Sequence, residues 1–485
     1  MKTRGPERAQ ITIPKAVRER LGIRPGLVAA IVFLVIWGLT THGKYSAVGD
    51  EPHYLIMTES LWSDGDLDLE TQYGSGVSRV FGHPELAIDG HARYDRMGTL
   101  RSVHDVGLPV LLVPIYGPAI AVSQLVPESW LLRVSQTPGL FAYSLMSLSM
   151  LALVCLSLTL LMKTLTPPIA PAAAATVVLA TALSPPLLSH AFLLFPEGIA
   201  FVVVCLTIYV AYSARDVSYG HIVVVSGAVG LLPWIHRKFS LFAVGLLFVL
   251  IVERREIFRR LSRAQRGGVA LAFLGPQVVL ATWTFYLWGH PGGPLMVGES
   301  PFGWQAFRAG VFGLLIDREN GLLVWAPLYL ALPAAWWLTR HASGALVIPS
   351  ILLFVPAAAH HLWWGGFSPA GRFLVPLIPF FALVIANALR HRTFAVTWYA
   401  LLVPQFLVSA YGWQHTRQLW PQGTGENPLV TSLPGLGPMI SDLLPSLRAT
   451  SPEVSSAALW ILGMAIANIV LVAIVSRSST SRLRG

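Results

Sequence analysis

Apolar residues fall along this chain in runs of about 15 to 25, from residue 27 to residue 475, with short polar segments between them. A run of that length suits a helix crossing the roughly 30 Å hydrocarbon layer of a bilayer. Runs at 27–41, 138–162, 168–188, 197–213, 219–235, 239–252, 267–289, 321–339, 344–360, 374–389, 395–411 and 456–475 predict an all-α, polytopic transmembrane bundle of roughly 11–13 spans. The apolar stretch 106–126 carries Pro109, Pro114 and Pro118, which weaken a continuous helix. It reads as an interfacial or re-entrant segment. No inverted repeat of the transporter type is visible.

The longest polar segment opens just after the first run, at residues 49–68, GDEPHYLIMTESLWSDGDLD. In it Tyr54, Leu55, Met57, Leu61 and Trp62 recur at helical spacing. They predict an amphipathic helix lying along the outer interface, with Asp50 and Glu51 at its start. Asp64, Asp66 and Asp68 alternate but lack the spacing of an EF-hand loop. They read as a turn. The Pro- and Gly-rich stretch 412–455 reads as an outer loop packed as a cap.

Composition agrees with a membrane protein. Of 485 residues, 54% are hydrophobic and 12% charged, about half the charge of an average soluble chain. The two cysteines, Cys155 and Cys205, lie inside apolar runs, so neither a disulfide framework nor a cysteine zinc site is implied. The net charge of +10 sits in short segments between runs, as the positive-inside rule requires without any nucleic-acid partner.

That rule also orients the chain. With the N-terminal tail inside, the first outer loop, 42–105, is acidic: 41–105 holds eleven Asp/Glu against five Lys/Arg. If 106–126 does not span, the six-arginine segment 253–266, Arg215, Arg340, Arg390, Arg392 and the tail 476–485 all fall inside. The organisation is then a cytoplasmic basic tail (1–26), a membrane module (27–475) and a second basic tail (476–485) in the cytoplasmic membrane. Residues 10–26, QITIPKAVRERLGIRPG, resemble the opening of an AbrB/MazE-type DNA-binding domain. The second half of such a domain is missing, so no functional nucleic-acid binding is expected.

This topology gathers Asp50, Glu51, His53, His190, Glu197, His236, Arg237, Lys238 and Arg372 on the outer face. Arg237 and Lys238 are the basic pair that the charge rule leaves outside. They suit a phosphate, with a bidentate fork and a point charge, or a pair snorkelling to headgroups. Arg372, in WWGGFSPAGRFLVPLIP (363–379), suits an anion or a headgroup anchor. Residues 317–320, DREN, read as a helix start with acids favourable there. Asp50 is placed to take a proton from an incoming hydroxyl.

The acidic pair with His53 and Tyr54, the proline-rich GLPVLLVPIYGP (107–118), ALSPPLLSHAFLLFPE (182–197) and the late Gly-rich turn with Arg372 together resemble the GT-C superfamily of glycosyltransferases. The nearest types are the protein O-mannosyltransferases and the lipid A aminoarabinose transferases. The resemblance implies a GT-C-like module that moves a sugar, with inversion, from a polyprenyl-phosphate donor to an acceptor hydroxyl. The site would lie on the extracytoplasmic side. Asp50 would be the general base, with Arg237, Lys238 and Arg372 on the leaving phosphate. Glu51 or Glu197 would orient the acceptor. Family members differ on metal use; a divalent cation, Mg²⁺ or Mn²⁺, would fall to Asp50, Glu51 and Glu197. The sugar and the acceptor stay open. A flippase or carrier for a lipid-linked sugar or other anion is the alternative, and a membrane scaffold a third. The near absence of charge within the spans favours interfacial chemistry over conduction.

Overall fold

A computed structural model describes residues 24–42, 47–76, 81, 86, 88, 90–133, 136–296, 300–421, 423–432, 435, 437–448 and 452–481. The AbrB/MazE-like stretch and nearly all of the first basic tail lie outside the described residues, as does the end of the second.

The chain is an all-α bundle. Its helices are α1 (Pro25–His42), α2 (Glu51–Ser63), α3 (Gly107–Leu125), α4 (Pro138–Leu165), α5 (Pro171–Ala182), α6 (Pro196–Ile208), α7 (Tyr219–Gly230), α8 (Ser240–Glu253), α9 (Arg263–Trp288), α10 (Trp304–Ile316), α11 (Leu332–Leu338), α12 (Val347–Ala359), α13 (Ile378–Ala388), α14 (Arg392–Gln414) and α15 (Val454–Ser481), joined by shorter turns. Among the described residues, 7 helices are long and apolar enough to cross a membrane, and the shorter apolar helices run 10–17 residues. Helices α9, α14 and α15 turn Leu271, Val278, Phe406, Leu407, Ile466 and Ile469 outward. Water would oppose so much exposed apolar surface, whereas lipid accepts it.

Helix α4 is the central post, packed by α1, α3, α6, α5 and α13. Other crossings close on glycine. An added Cβ at Gly230 would meet the Phe273 backbone, at Gly245 that of Pro349, and at Gly310 that of Ala358. Small residues let membrane helices approach in this way.

Charge separates along α4. Near its start the Tyr143 hydroxyl donates to Glu51. At its far end Ser213 meets the Thr164 carbonyl, Arg254 donates to the carbonyls of Val210 and Ala214, and Arg390 to that of Pro168. Tyr143 and Thr164 are about 30 Å apart along the helix. The acids and histidines of the candidate site therefore occupy one end of the bundle, and the arginine-rich segments the other.

Several expectations change. Residues 107–125 form one continuous helix despite Pro114 and Pro118 inside it. Pro109 sits in the first turn, where no amide donor is needed, and packing by α2 and α4 holds the rest. The run 321–339 is not one helix: it breaks into Leu322–Trp325, a 3₁₀ turn at Pro327–Tyr329, and α11. Helix α10 was not anticipated, because its 13-residue run contains Arg308 and two glycines. Helix α2 forms as expected but does not lie on a surface. All of Glu51–Thr58 is buried, on every side of the first two turns. The 317–320 segment is not a helix start either. Asp317 caps α10 and accepts from Leu447 N, Arg318 donates to the Leu444 carbonyl, and Glu319 accepts from Gly423 and Gly425. These acids and Arg318 bind the 412–455 loop onto the bundle.

Candidate active site

The site is built on two turns that interlock. Gly49 takes φ +56°, and a Cβ there would strike the carbonyl of Phe367. This close approach seats the Asp50 turn against the loop 365–371. Gly365 and Gly371 also take positive φ, 96° and 75°. The loop thereby folds back so that the Gly365 carbonyl accepts from Arg372 Nη1 at 3.1 Å. The Gly-Gly and Ala-Gly-Arg signals of the sequence are thus the device that aims Arg372.

Arg372 bridges two carboxylates. Its Nη2 donates to Asp50 Oδ2 at 2.7 Å and its Nε to Glu197 Oε1 at 2.9 Å. Its guanidinium lies 4.1 Å from the centre of the Phe195 ring, a cation–π contact. Glu197, in the first turn of α6, accepts on the same oxygen from Lys238 Nζ. The Lys238 ammonium lies 4.6 Å over Phe373. Side-chain exposure divides the cluster: Glu197 and Arg372 are closed off (0% and 5%), whereas Asp50 and Lys238 stay open (22% and 17%). A molecule reaching this end of the bundle meets Asp50 and Lys238, with Arg372 and Glu197 behind them.

Burial alone would raise the Asp50 carboxyl, but the Arg372 charge and hydrogen bond outweigh it and hold it well below the usual carboxylate range. Burial brings the Lys238 ammonium down to about 8, against the pull of Glu197.

The other expected residues take different positions. Glu51 is fully buried and accepts from Leu194 N at 2.7 Å, Val48 N at 2.9 Å and the Tyr143 hydroxyl at 3.1 Å. Burial still pushes its carboxyl up to about 7. It ties the 47–50 turn to α4 and to the 192–195 turn. Arg237, next to Lys238 in sequence, points to another partner. Its Nε lies 2.9 Å from Asp105 Oδ1 and its Nη1 donates to the Gly292 carbonyl. The 3₁₀ turn Arg237–Phe239 sends the two neighbours apart. His236 Nδ1 accepts from Lys238 N, capping that turn. Burial lifts the Asp105 carboxyl to about 6, opposed by Arg237. His190 bonds the Pro186 carbonyl through Nδ1 at 2.8 Å. Its Nε2 and Glu197 Oε2 are buried without a hydrogen-bond partner among the described residues. Asp64, Asp66 and Asp68 accept from Gln72, Ser60 and the backbone of 68–70, as a turn does.

Two functional candidates stand outside the sequence expectations: His91 and His104. Strands β1 (Ala92–Tyr94) and β2 (Leu100–Ser102) pair antiparallel, and the two histidines flank the open end of that hairpin. Their rings meet, Nδ1 of His91 to Nε2 of His104 at 3.1 Å, and His53 stacks on His91 with ring centres 3.8 Å apart. His53 Nδ1 also meets the Tyr73 hydroxyl at 3.0 Å. The signal was local: Asp95 caps the amides of Met97 and Thr99, and Gly98 takes φ 81°. That is a hairpin turn, and reading it would have brought 91 and 104 together. Asp50, His91 and His104 form a group whose potential ligand atoms lie within 4.8 Å of one another, each residue half-buried. Chemically, this end of the bundle offers an open carboxylate with two imidazoles beside it and a cation pair suited to an anion.

No family model matches the chain, and no curated protein does. Among solved structures it is similar to ArnT from Cupriavidus metallidurans bound to undecaprenyl phosphate, at 15% identity and a TM-score of 0.48, over 97% of this chain and 73% of that one.

Proposed function

We propose that the chain is a membrane glycosyltransferase that moves a sugar from a polyprenyl-phosphate donor to an acceptor hydroxyl. The observation that carries this reading is the Asp50–Arg372–Glu197–Lys238 cluster, open at a carboxylate and at an ammonium and set at the end of an apolar bundle. A lipid phosphate lying along the bundle reaches the ammonium; an acceptor from the water reaches the carboxylate. The GT-C-like order of motifs supports the same reading.

In the proposed step the acceptor hydroxyl gives its proton to Asp50. The acceptor oxygen bonds to the anomeric carbon, and the bond from that carbon to the phosphate oxygen breaks. The electron pair leaves with the polyprenyl phosphate, whose charge is met by Lys238 and, behind it, Arg372. The Arg372 charge keeps Asp50 ionised and so in the form that can take a proton. Attack on the side of the anomeric carbon opposite the leaving phosphate inverts that centre. Glu197 holds both cations and is a positioning residue. Arg237 and Glu51, engaged elsewhere, support the fold around the site. By the positive-inside rule, the end opposite the arginine segments is extracytoplasmic.

Purified protein supplied with radiolabelled polyprenyl-phosphate sugars tests the reading. Label should pass to an acceptor with release of polyprenyl phosphate. Donor left unconsumed with every acceptor class ends it, and movement of intact lipid-sugar across the bilayer would point to a carrier.

A further inference from the structure

We propose that Asp50, His91 and His104 form a site for one divalent first-row transition-metal ion, of the Zn²⁺ or Co²⁺ type. The three side chains come from three segments: the turn before α2, the residue entering β1 and the segment leaving β2. Their candidate ligand atoms already lie within 4.8 Å of one another. The two imidazole nitrogens stand 3.1 Å apart. Two nitrogens on one tetrahedral zinc, at about 2.0–2.1 Å each, lie about 3.3 Å from one another, so this pair needs almost no movement. Arg372 uses Oδ2 of Asp50, and the ion would take Oδ1. All three residues are half-buried, which gives an ion a way in and leaves room for a further ligand.

The donor set decides the class of ion. Two imidazoles and one carboxylate suit zinc, cobalt or iron, whereas Mg²⁺ and Ca²⁺ select oxygen. The alternative set of Asp50, Glu51 and Glu197 is less suited. Both Glu51 oxygens are taken by Val48, Leu194 and Tyr143, and Glu197 is sealed behind Arg372 and Lys238. Around the histidines the packing is ordered. His53 stacks on His91, and Tyr54 lies 5.1 Å from the His104 ring. Such surroundings hold ligand rings in orientation. An ion here, held through Oδ1, would sit where an acceptor approaches Asp50, and its charge would acidify that acceptor's hydroxyl; that role, unlike the binding itself, rests on the proposed function.

The test needs only the metal. Full-length protein, purified on a histidine-free tag and stripped with chelator, is titrated with Co²⁺ and followed by visible spectroscopy. One equivalent should bind with ligand-field bands, and Zn²⁺ should displace it. His91→Ala and His104→Ala should each lose that equivalent, while His361→Ala, at an exposed histidine whose ring meets the Pro301 carbonyl, keeps it. If wild type takes up no more Co²⁺ than the His91→Ala/His104→Ala double variant, the pair is only a hydrogen-bonded contact and the proposal is wrong. Should the variants misfold, X-ray absorption on zinc-loaded wild type decides: two imidazoles and oxygen at about 2.0–2.2 Å support it, and an all-oxygen shell overturns it. Metal bound without sugar transfer would sink the proposed function alone. Sugar transfer by a protein that takes up no Co²⁺ or Zn²⁺ would sink this proposal alone.

Discussion

Arg372 donates to Asp50 across 322 residues of sequence, at 2.7 Å, and through its Nε to Glu197 at 2.9 Å. One guanidinium therefore fixes the distance between the open carboxylate and the sealed one. Only a planar fork can serve both at once.

Arg372→Ala leaves Glu197 buried with Lys238 as its remaining cation and frees Asp50. Removing one partner of a buried pair costs about 3–5 kcal/mol, and the half-open Asp50 arm puts this site near the lower figure. The expected result is a lowered thermal midpoint in detergent together with lost donor turnover. Arg372→Lys keeps the charge but not the fork, so turnover should fall much further than stability. Equal losses in both would show that Arg372 is structural only.

Glu51 should behave in the opposite way. Its oxygens accept from two amides and the Tyr143 hydroxyl, so Tyr143→Phe should destabilise by about 1 kcal/mol and Glu51→Gln by about 1–3 kcal/mol. Turnover per folded molecule should change little in Tyr143→Phe. Chemical or thermal unfolding beside single-turnover rates checks this; a Tyr143→Phe protein of full stability and collapsed rate would contradict it.

Much of this arrangement was legible beforehand, and the reasons it was or was not are physical. Apolar runs mark helices because lipid tolerates nothing else, so the twelve runs are largely helical in the structure, though 168–188 breaks at 183–186 and 321–339 breaks around Pro327. Charge asymmetry brought Asp50, Glu197, Lys238 and Arg372 to one end because the arginine segments occupy the other. Pairing was not legible. Arg237 and Lys238 are adjacent, and only the 3₁₀ turn gives one to Asp105 and the other to Glu197. The burial of α2 was missed because Glu51 and His53 look like surface residues until Tyr143, Leu194 and Tyr73 supply their partners. His91 and His104 stayed hidden because a three-residue strand pair, too short to show a period, brings them together.

The Lys238 ammonium, brought from 10.5 down to about 8 by burial, sets a pH dependence. It carries its charge below that value and loses it above, so donor-phosphate affinity should decline as pH rises through about 8. Its folded pKa lies below the unfolded one, so deprotonation favours the fold. Stability should therefore gain from this group between about 8 and 10.5 even as donor binding weakens. Lys238→Arg should move the alkaline limb of kcat/KM upward. A limb unmoved by that substitution would remove Lys238 from the phosphate site.

The two ends of the bundle should face opposite sides of the membrane. A single cysteine at Phe367, which is exposed beside the site, should react with an impermeant thiol reagent in intact cells. One at Arg260 should react only after permeabilisation. Cys155 and Cys205 are buried and provide a silent background. Labelling at Arg260 in intact cells would overturn the orientation.

The most direct measurement compares wild type with Asp50→Asn under saturating radiolabelled polyprenyl-phosphate sugar, reading polyprenyl phosphate released per minute. Asparagine keeps the shape and a contact to Arg372 but cannot take the acceptor proton. The expected fall is about a hundredfold or more, in the range of general-base catalysis, with donor binding retained. An Asp50→Asn protein that releases polyprenyl phosphate at the wild-type rate would contradict it.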